Sequence, residues 1–167
     1  ANGAAGNAVT GRKDRNYRVF LSALRSITGS VAEALAADGE GATRLVRVTV
    51  ERARTRTEAL RAAKAVANSL LVKTAIFGQD ANWGRVISAV GASGVALDPG
   101  AIAIEFAAIP VAKRGAAVRF DTTAMARALR RKEIAIRISL GAGRESARAL
   151  TCDLTPGYIR INADYHT

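Results

Sequence analysis

The sequence predicts an α+β fold, helices layered against a mixed or antiparallel sheet, in a two-layer sandwich or roll. Three observations carry this expectation. Apolar residues recur at helical spacing through most of the first half, period-two alternation clusters in the second, and no glycine-rich turn opens a helix as a phosphate-cradling parallel sheet would require. Gly91-Ala-Ser-Gly94 follows a helical run instead of starting one, so a doubly wound parallel sheet is the lesser alternative. With 167 residues, 49% of them hydrophobic, the chain is long enough to bury a sizeable core.

The elements follow in order. Tyr17, Phe20, Leu21, Leu24, Ile27, Val31 and Leu35 recur at three-to-four spacing behind Asp14, a capping residue, and the run stops at Gly39. This predicts a long amphipathic helix. Leu45 to Val50 alternates and predicts a strand. Thr55-Arg-Thr-Glu58 is a capping-box pattern opening a helix that carries Leu60, Ala63, Val66, Ala67 and Leu70. The apolar run Leu71 to Phe77 is expected to be a buried strand. Asn82 caps a further helix with Trp83, Val86, Ile87 and Val90 inward, ended by Gly91, and Asp98-Pro-Gly100 turns the chain into a strand from Ile102 to Phe106. Val118 to Phe120 is a short strand candidate. Asp121 caps a helix through Met125 and Leu129, and Glu133 to Ile138 alternates again. Gly141-Ala-Gly143 then turns into Ser146 to Cys152, and Tyr158 to Ala163 is expected to add a last strand.

Composition narrows the function. No run of eighteen apolar residues is present, so a membrane span is expected to be excluded, and the single cysteine, Cys152, fits a reducing, cytoplasmic compartment. The net charge of +11 invites a nucleic-acid reading. Its arrangement does not support one: the only clusters are Arg52/Arg54/Arg56 and Arg130/Arg131/Lys132, with no aromatic side chains interleaved to stack on bases. A basic face turned to solvent or to an acidic partner chain accounts for the charge more simply.

A self-contained catalytic centre is hard to assemble from these residues. One histidine, His166, and one cysteine are too few for a zinc site, and Cys152, in an alternating strand, is expected to be a small buried apolar residue. The exception among the carboxylates is Glu40, in Asp38-Gly-Glu-Gly-Ala-Thr43, where flanking glycines permit a sharp backbone path that can present the side chain at an edge.

Two segments identify a family. Leu71 to Gly94, with its Gln79-Asp-Ala-Asn-Trp-Gly-Arg85 run, resembles the corresponding segment of the ornithine acetyltransferase (ArgJ, glutamate N-acetyltransferase) family, and Asp153 to Thr167 is similar to that family's carboxyl terminus. The two matches occur in the right order and extend the resemblance to essentially the whole chain. It corresponds to the C-terminal portion of the family's β chain: about 1–95 a helix-rich segment continuing the nucleophile-bearing domain, and about 96–167 a strand-rich segment. The fold implied is that of N-terminal-nucleophile-like enzymes of the DmpA/ArgJ type.

The resemblance implies an acetyltransferase that cuts itself before a threonine. The new amino-terminal Thr takes the acetyl group from N-acetylornithine and passes it to glutamate, in arginine biosynthesis or a related secondary-metabolite pathway. No threonine here occupies the nucleophile's place, Thr10 being the nearest. The catalytic residue is therefore expected in the remaining β-chain segment, and this chain by itself is not expected to turn over. The implied partners are that segment, the α chain of the same precursor, the two small-molecule substrates and further copies in a homo-oligomer, with no cofactor, metal, nucleic acid or membrane. The resemblance also assigns substrate contacts to Glu40, Asn162 and Thr167, a fixed anion for an α-ammonium group together with an amide and a hydroxyl. The runner-up reading is a non-catalytic assembly domain of a larger enzyme, and behind it stands a basic nucleic-acid-binding domain.

Overall fold

A computed structural model describes residues 3–4, 6 and 11–164. The chain separates into two units, Ala1–Ala34 and Leu35–Thr167. The first is dominated by α1 (Arg15–Ala37), whose start is capped by the Asp14 carboxylate accepting from the Tyr17 N–H at 2.9 Å. None of its residues is buried, and Val19, Phe20, Leu24, Ile27 and Val31 are all exposed. Against the exclusion of a span from the sequence, α1 is by length and composition able to cross a membrane, with a window of mean hydropathy 1.3. Arg25 and Glu33 interrupt its apolar residues without bringing the window below that value, and the apolar residues gather mainly on one face.

The second unit holds β1 (Leu45–Ala53), α2 (Arg56–Asn68), α3 (Leu70–Phe77), α4 (Trp83–Ala92), β2 (Ala103–Phe106), β3 (Ile109–Lys113), β4 (Ala116–Ala117), α5 (Thr122–Leu129), β5 (Glu133–Ser139), β6 (Glu145–Cys152) and α6 (Pro156–Ala163). The sheet order is β4-β3-β2-β5-β1-β6. β1 and β5 run parallel with Val48 opposite Ile136, and every other pairing is antiparallel, so the sheet is mixed and the expected α+β class holds. The helix-rich half contributes β1 between β5 and β6 of the other half.

Strand alternation decides which face is covered. Val46, Val48 and Val50 of β1 and Ile134, Ile136 and Ile138 of β5 are buried on one side. Several residues on the other face carry charge: Arg47 bonds Glu133 at 2.6 Å, and Arg137 lies 3.8 Å from both Glu51 and Glu105. Over the apolar face lies α2, whose buried stripe is Ala59, Ala62, Ala63, Val66 and Ala67; these small side chains let its backbone approach β1 and β6 closely.

Five local expectations are corrected. Leu71 to Phe77 is helix, not strand. The Ser69 hydroxyl caps it by accepting from the Val72 N–H, and Val72, Ala75 and Ile76 are buried at i, i+3, i+4 while Leu70 and Leu71 face out. A continuous apolar run carries no period by which strand and helix can be told apart. Tyr158 to Ala163 is also helix, because Thr155 accepts from the Gly157 and Tyr158 N–H groups and Pro156 occupies the first helical position. Val118 to Phe120 forms no strand. The chain has paired earlier, through β3 and β4, whose turns place Ala107 and Ala108 at φ 48° and 66° and Arg114 and Gly115 at 52° and 71°. Lastly, the helix beginning at Arg56 ends at Asn68, so Leu70 lies in α3, and Leu60 is exposed. Gly91 sits inside α4 instead of ending it.

Candidate functional site

The loop between α1 and β1 presents Glu40, and its path is set by contacts from a segment more than a hundred residues away. Asp153 is 3% exposed. One carboxylate oxygen accepts from the Thr43 and Arg44 N–H groups at 2.8 and 2.9 Å; the other accepts from the Thr43 hydroxyl and from the Arg44 guanidinium at 3.2 Å. Two residues on, the Thr155 hydroxyl donates to the Gly41 carbonyl at 2.6 Å. Gly41 has φ +65°, and a Cβ there would lie 2.5 Å from the Tyr158 nitrogen. Only glycine allows both that conformation and that approach. Gly39 is packed the same way against Cys152, whose sulfur a Cβ would meet at 2.7 Å; Cys152 is half-buried, where full burial was expected.

Glu40 is exposed and meets Asn162, which projects from α6. The Asn162 amide donates to the Glu40 carboxylate at 2.8 Å and to the Tyr158 carbonyl at 2.9 Å. Of the three residues expected to contact substrate, the fold therefore joins two. Thr167 lies outside the described residues, as do His166 and Thr10. An exposed carboxylate aimed by one amide has lone pairs left for a cationic group, and binding an ammonium is the chemistry this pair can do.

Thr155 also lines a mostly apolar groove of about 580 Å³, together with Thr74, Phe77, Leu154, Pro156, Ile159 and Arg160. α3 is tied to the tail where the Lys73 carbonyl accepts from the Leu154 N–H at 3.3 Å. The Gln79–Arg85 motif fixes α3 in turn. Asn82 caps α4 by accepting from the Arg85 N–H and donates to Asp80, while the Arg85 guanidinium reaches back to the Leu71 carbonyl at 2.9 Å. Trp83 is partly buried against the core. The motif forms a helix–helix corner between α3 and α4.

Asp153 and Thr155 went unread as site-building residues. Their signal is faint but present: Thr-Pro-Gly after a strand is a helix-start signature, and a helix there makes the preceding residues an anchor.

The crystal structure of arginine biosynthesis bifunctional protein ArgJ from Bacillus halodurans superposes with a TM-score of 0.93 at 37% identity, covering 99% of this chain and 78% of that one. The chain thus has the α+β fold of that protein, consistent with the N-terminal-nucleophile type. The ArgJ family model matches residues 1–167, and the chain belongs to the ArgJ family. The arginine biosynthesis bifunctional protein ArgJ of Symbiobacterium thermophilum is 45% identical over 167 residues, and that of Bradyrhizobium diazoefficiens 45% over 155. These alignments cover 100% and 92% of this chain but only 42% and 38% of the two relatives, so the chain spans about two-fifths of their length.

Proposed function

We propose that this chain completes the substrate pocket of an ArgJ-type acetyltransferase, in which an acetyl group passes from N-acetylornithine to glutamate through a threonine acyl-enzyme. The nucleophile belongs to the remaining part of the same enzyme. Its hydroxyl adds to the acetyl carbonyl, the ornithine amine leaves with a proton, and the glutamate amine then displaces the ester oxygen. A terminal α-amine titrates near neutrality and is a suitable base for its own hydroxyl. Glu40, with Asn162, holds an ammonium group of the amino-acid substrate, and Thr167 supplies a further contact.

The observation that carries this reading is the Glu40–Asn162 hydrogen bond. Two residues singled out by family resemblance, 122 positions apart in sequence, meet at one exposed point. Family membership and a bifunctional ArgJ relative at 45% identity support the reaction class. The test uses the full-length gene product. Incubation with N-acetylornithine should add one acetyl mass to a chain beginning at threonine, and Glu40→Ala should sharply raise KM for the amino-acid substrate. Unchanged transfer by Glu40→Ala would remove Glu40 from the pocket.

The assembly reading is favoured by a different observation, the exposed Phe20, Leu24, Ile27 and Val31 along α1. Apolar side chains in that number are what a face covered by another polypeptide presents. The two roles are compatible in one enzyme, with α1 joining the parts and the Glu40 loop closing the pocket.

A further inference from the structure

We propose that Asp153 and Thr155 are positioning residues that aim the Glu40–Asn162 pair, acting through the backbone of the Glu40 loop without touching substrate. This rests on the reading of Glu40 as a substrate contact.

Glu40 is exposed and its carboxylate accepts from the Asn162 amide, which is itself exposed, so burial of these two side chains does not hold the pair in place. The direction of Glu40 is fixed by its neighbours. Immediately after it, the Gly41 carbonyl is held by the Thr155 hydroxyl at 2.6 Å, and the Gly41 backbone lies against Gly157 and Tyr158 too closely for any side chain. Further on, the buried Asp153 carboxylate gathers two N–H groups, a hydroxyl and a guanidinium from Thr43 and Arg44. Immediately before it, Gly39 packs on Cys152. Arg44 is also held by the Leu129 carbonyl at 3.0 Å, but the other anchors all come from one stretch, 152–158.

That stretch also launches the helix that carries Asn162. Thr155 is the shared element: its oxygen accepts from the Gly157 N–H at 3.1 Å, starting α6, while its proton goes to Gly41. One hydroxyl therefore sets the relative position of both members of the pair. A buried carboxylate such as Asp153 is poorly explained as a source of stability, since desolvation offsets much of what its bonds return; holding one loop geometry is a better account.

The test measures acetyl transfer by the full-length gene product in Thr155→Val, Thr155→Ser, Glu40→Ala and the Glu40→Ala/Thr155→Val double variant. Thr155→Val should raise KM for the amino-acid substrate on the order of tenfold with kcat little changed, and Thr155→Ser should restore it. In the Glu40→Ala background, Thr155→Val should add nothing, because the group it aims is gone. If the two substitutions multiply instead, or Thr155→Val leaves KM unchanged while Glu40→Ala raises it, the positioning role is overturned and the pocket reading stands. If Glu40→Ala itself has no effect, the pocket reading fails and takes this inference with it. Should Thr155→Val not fold, Thr155→Asp replaces it in the same cycle, keeping an acceptor for the helix cap but carrying no proton for Gly41.

Discussion

The Asn162 amide donates to the Glu40 carboxylate at 2.8 Å across 122 residues of sequence. The pair links the start of the sheet to the last described helix, and both its members rest on the segment that follows β6. Its behaviour on substitution bears directly on the proposed pocket.

Asn162→Asp replaces the donor with a second carboxylate beside Glu40. Repulsion between like charges should open the pair and lower kcat/KM for acetyl transfer by on the order of tenfold, the loss of roughly one hydrogen bond to a charged group. Steady-state kinetics on the full-length gene product decide this; activity equal to the parent would mean the bond does not aim Glu40.

Two glycines should respond to alanine in opposite directions. Gly91 lies within α4 with open space around it, so Gly91→Ala should stabilise by roughly 0.5–1 kcal/mol. Gly115 has φ +71°, and a Cβ would meet the Pro99 carbonyl oxygen at 2.2 Å, so Gly115→Ala should cost more than about 2 kcal/mol. Urea midpoints at constant slope measure both.

Ile136 is 1% exposed on β5, with β1 and β2 on either side of it. Ile136→Ala should destabilise by about 2–5 kcal/mol through lost burial and an unfilled cavity. A cost below 1 kcal/mol would mean the sheet face collapses onto α2 more readily than its packing suggests.

Away from the site, the Arg54 guanidinium hydrogen-bonds the Glu58 carboxylate at 2.8 Å and holds it below its ordinary pKa of 4.5. A carboxylate lowered in the folded state adds stability above its ordinary value and loses it as pH falls through the lowered one. NMR titration should therefore find the Glu58 midpoint moving up in Arg54→Met, and an unmoved midpoint would assign the shift to the backbone donors at the start of α2 instead.

On α1, Ile27 is 63% exposed. Ile27→Glu should weaken association of the parts of the full-length enzyme while leaving the helix intact. Native mass spectrometry together with circular dichroism reads both, and an unchanged assembly would show that this face is not the one covered.

How much was legible varied with the strength of the local signal. The strands β1 and β5 alternate over six residues or more, and the caps Asp14, Thr55, Asn82 and Asp121 each precede a helical run, so these elements could be placed from sequence. The hairpin turn at Ala107–Ala108 could not. Its two positive φ values fall on alanines, whereas asparagine and glycine are the residues that advertise such a turn. Ile159-Arg-Ile161 alternates like a strand, yet both isoleucines are exposed on α6, where the cap at Thr155 prevails over the pattern.

The sequence by itself determined the α+β class, most element starts, the family, and Glu40, Asn162 and Thr167 as residues to watch, because these depend on short-range periodicity, capping chemistry and recognisable motifs. Only the tertiary structure decided that Glu40 and Asn162 meet, that Asp153 and Thr155 hold the loop between them, and that Leu71 to Phe77 is helical. The physical reason is range. A cap or an alternation is written within a few residues, whereas a hydrogen bond across more than a hundred depends on how the sheet brings β1 beside β6, a pairing no local pattern encodes.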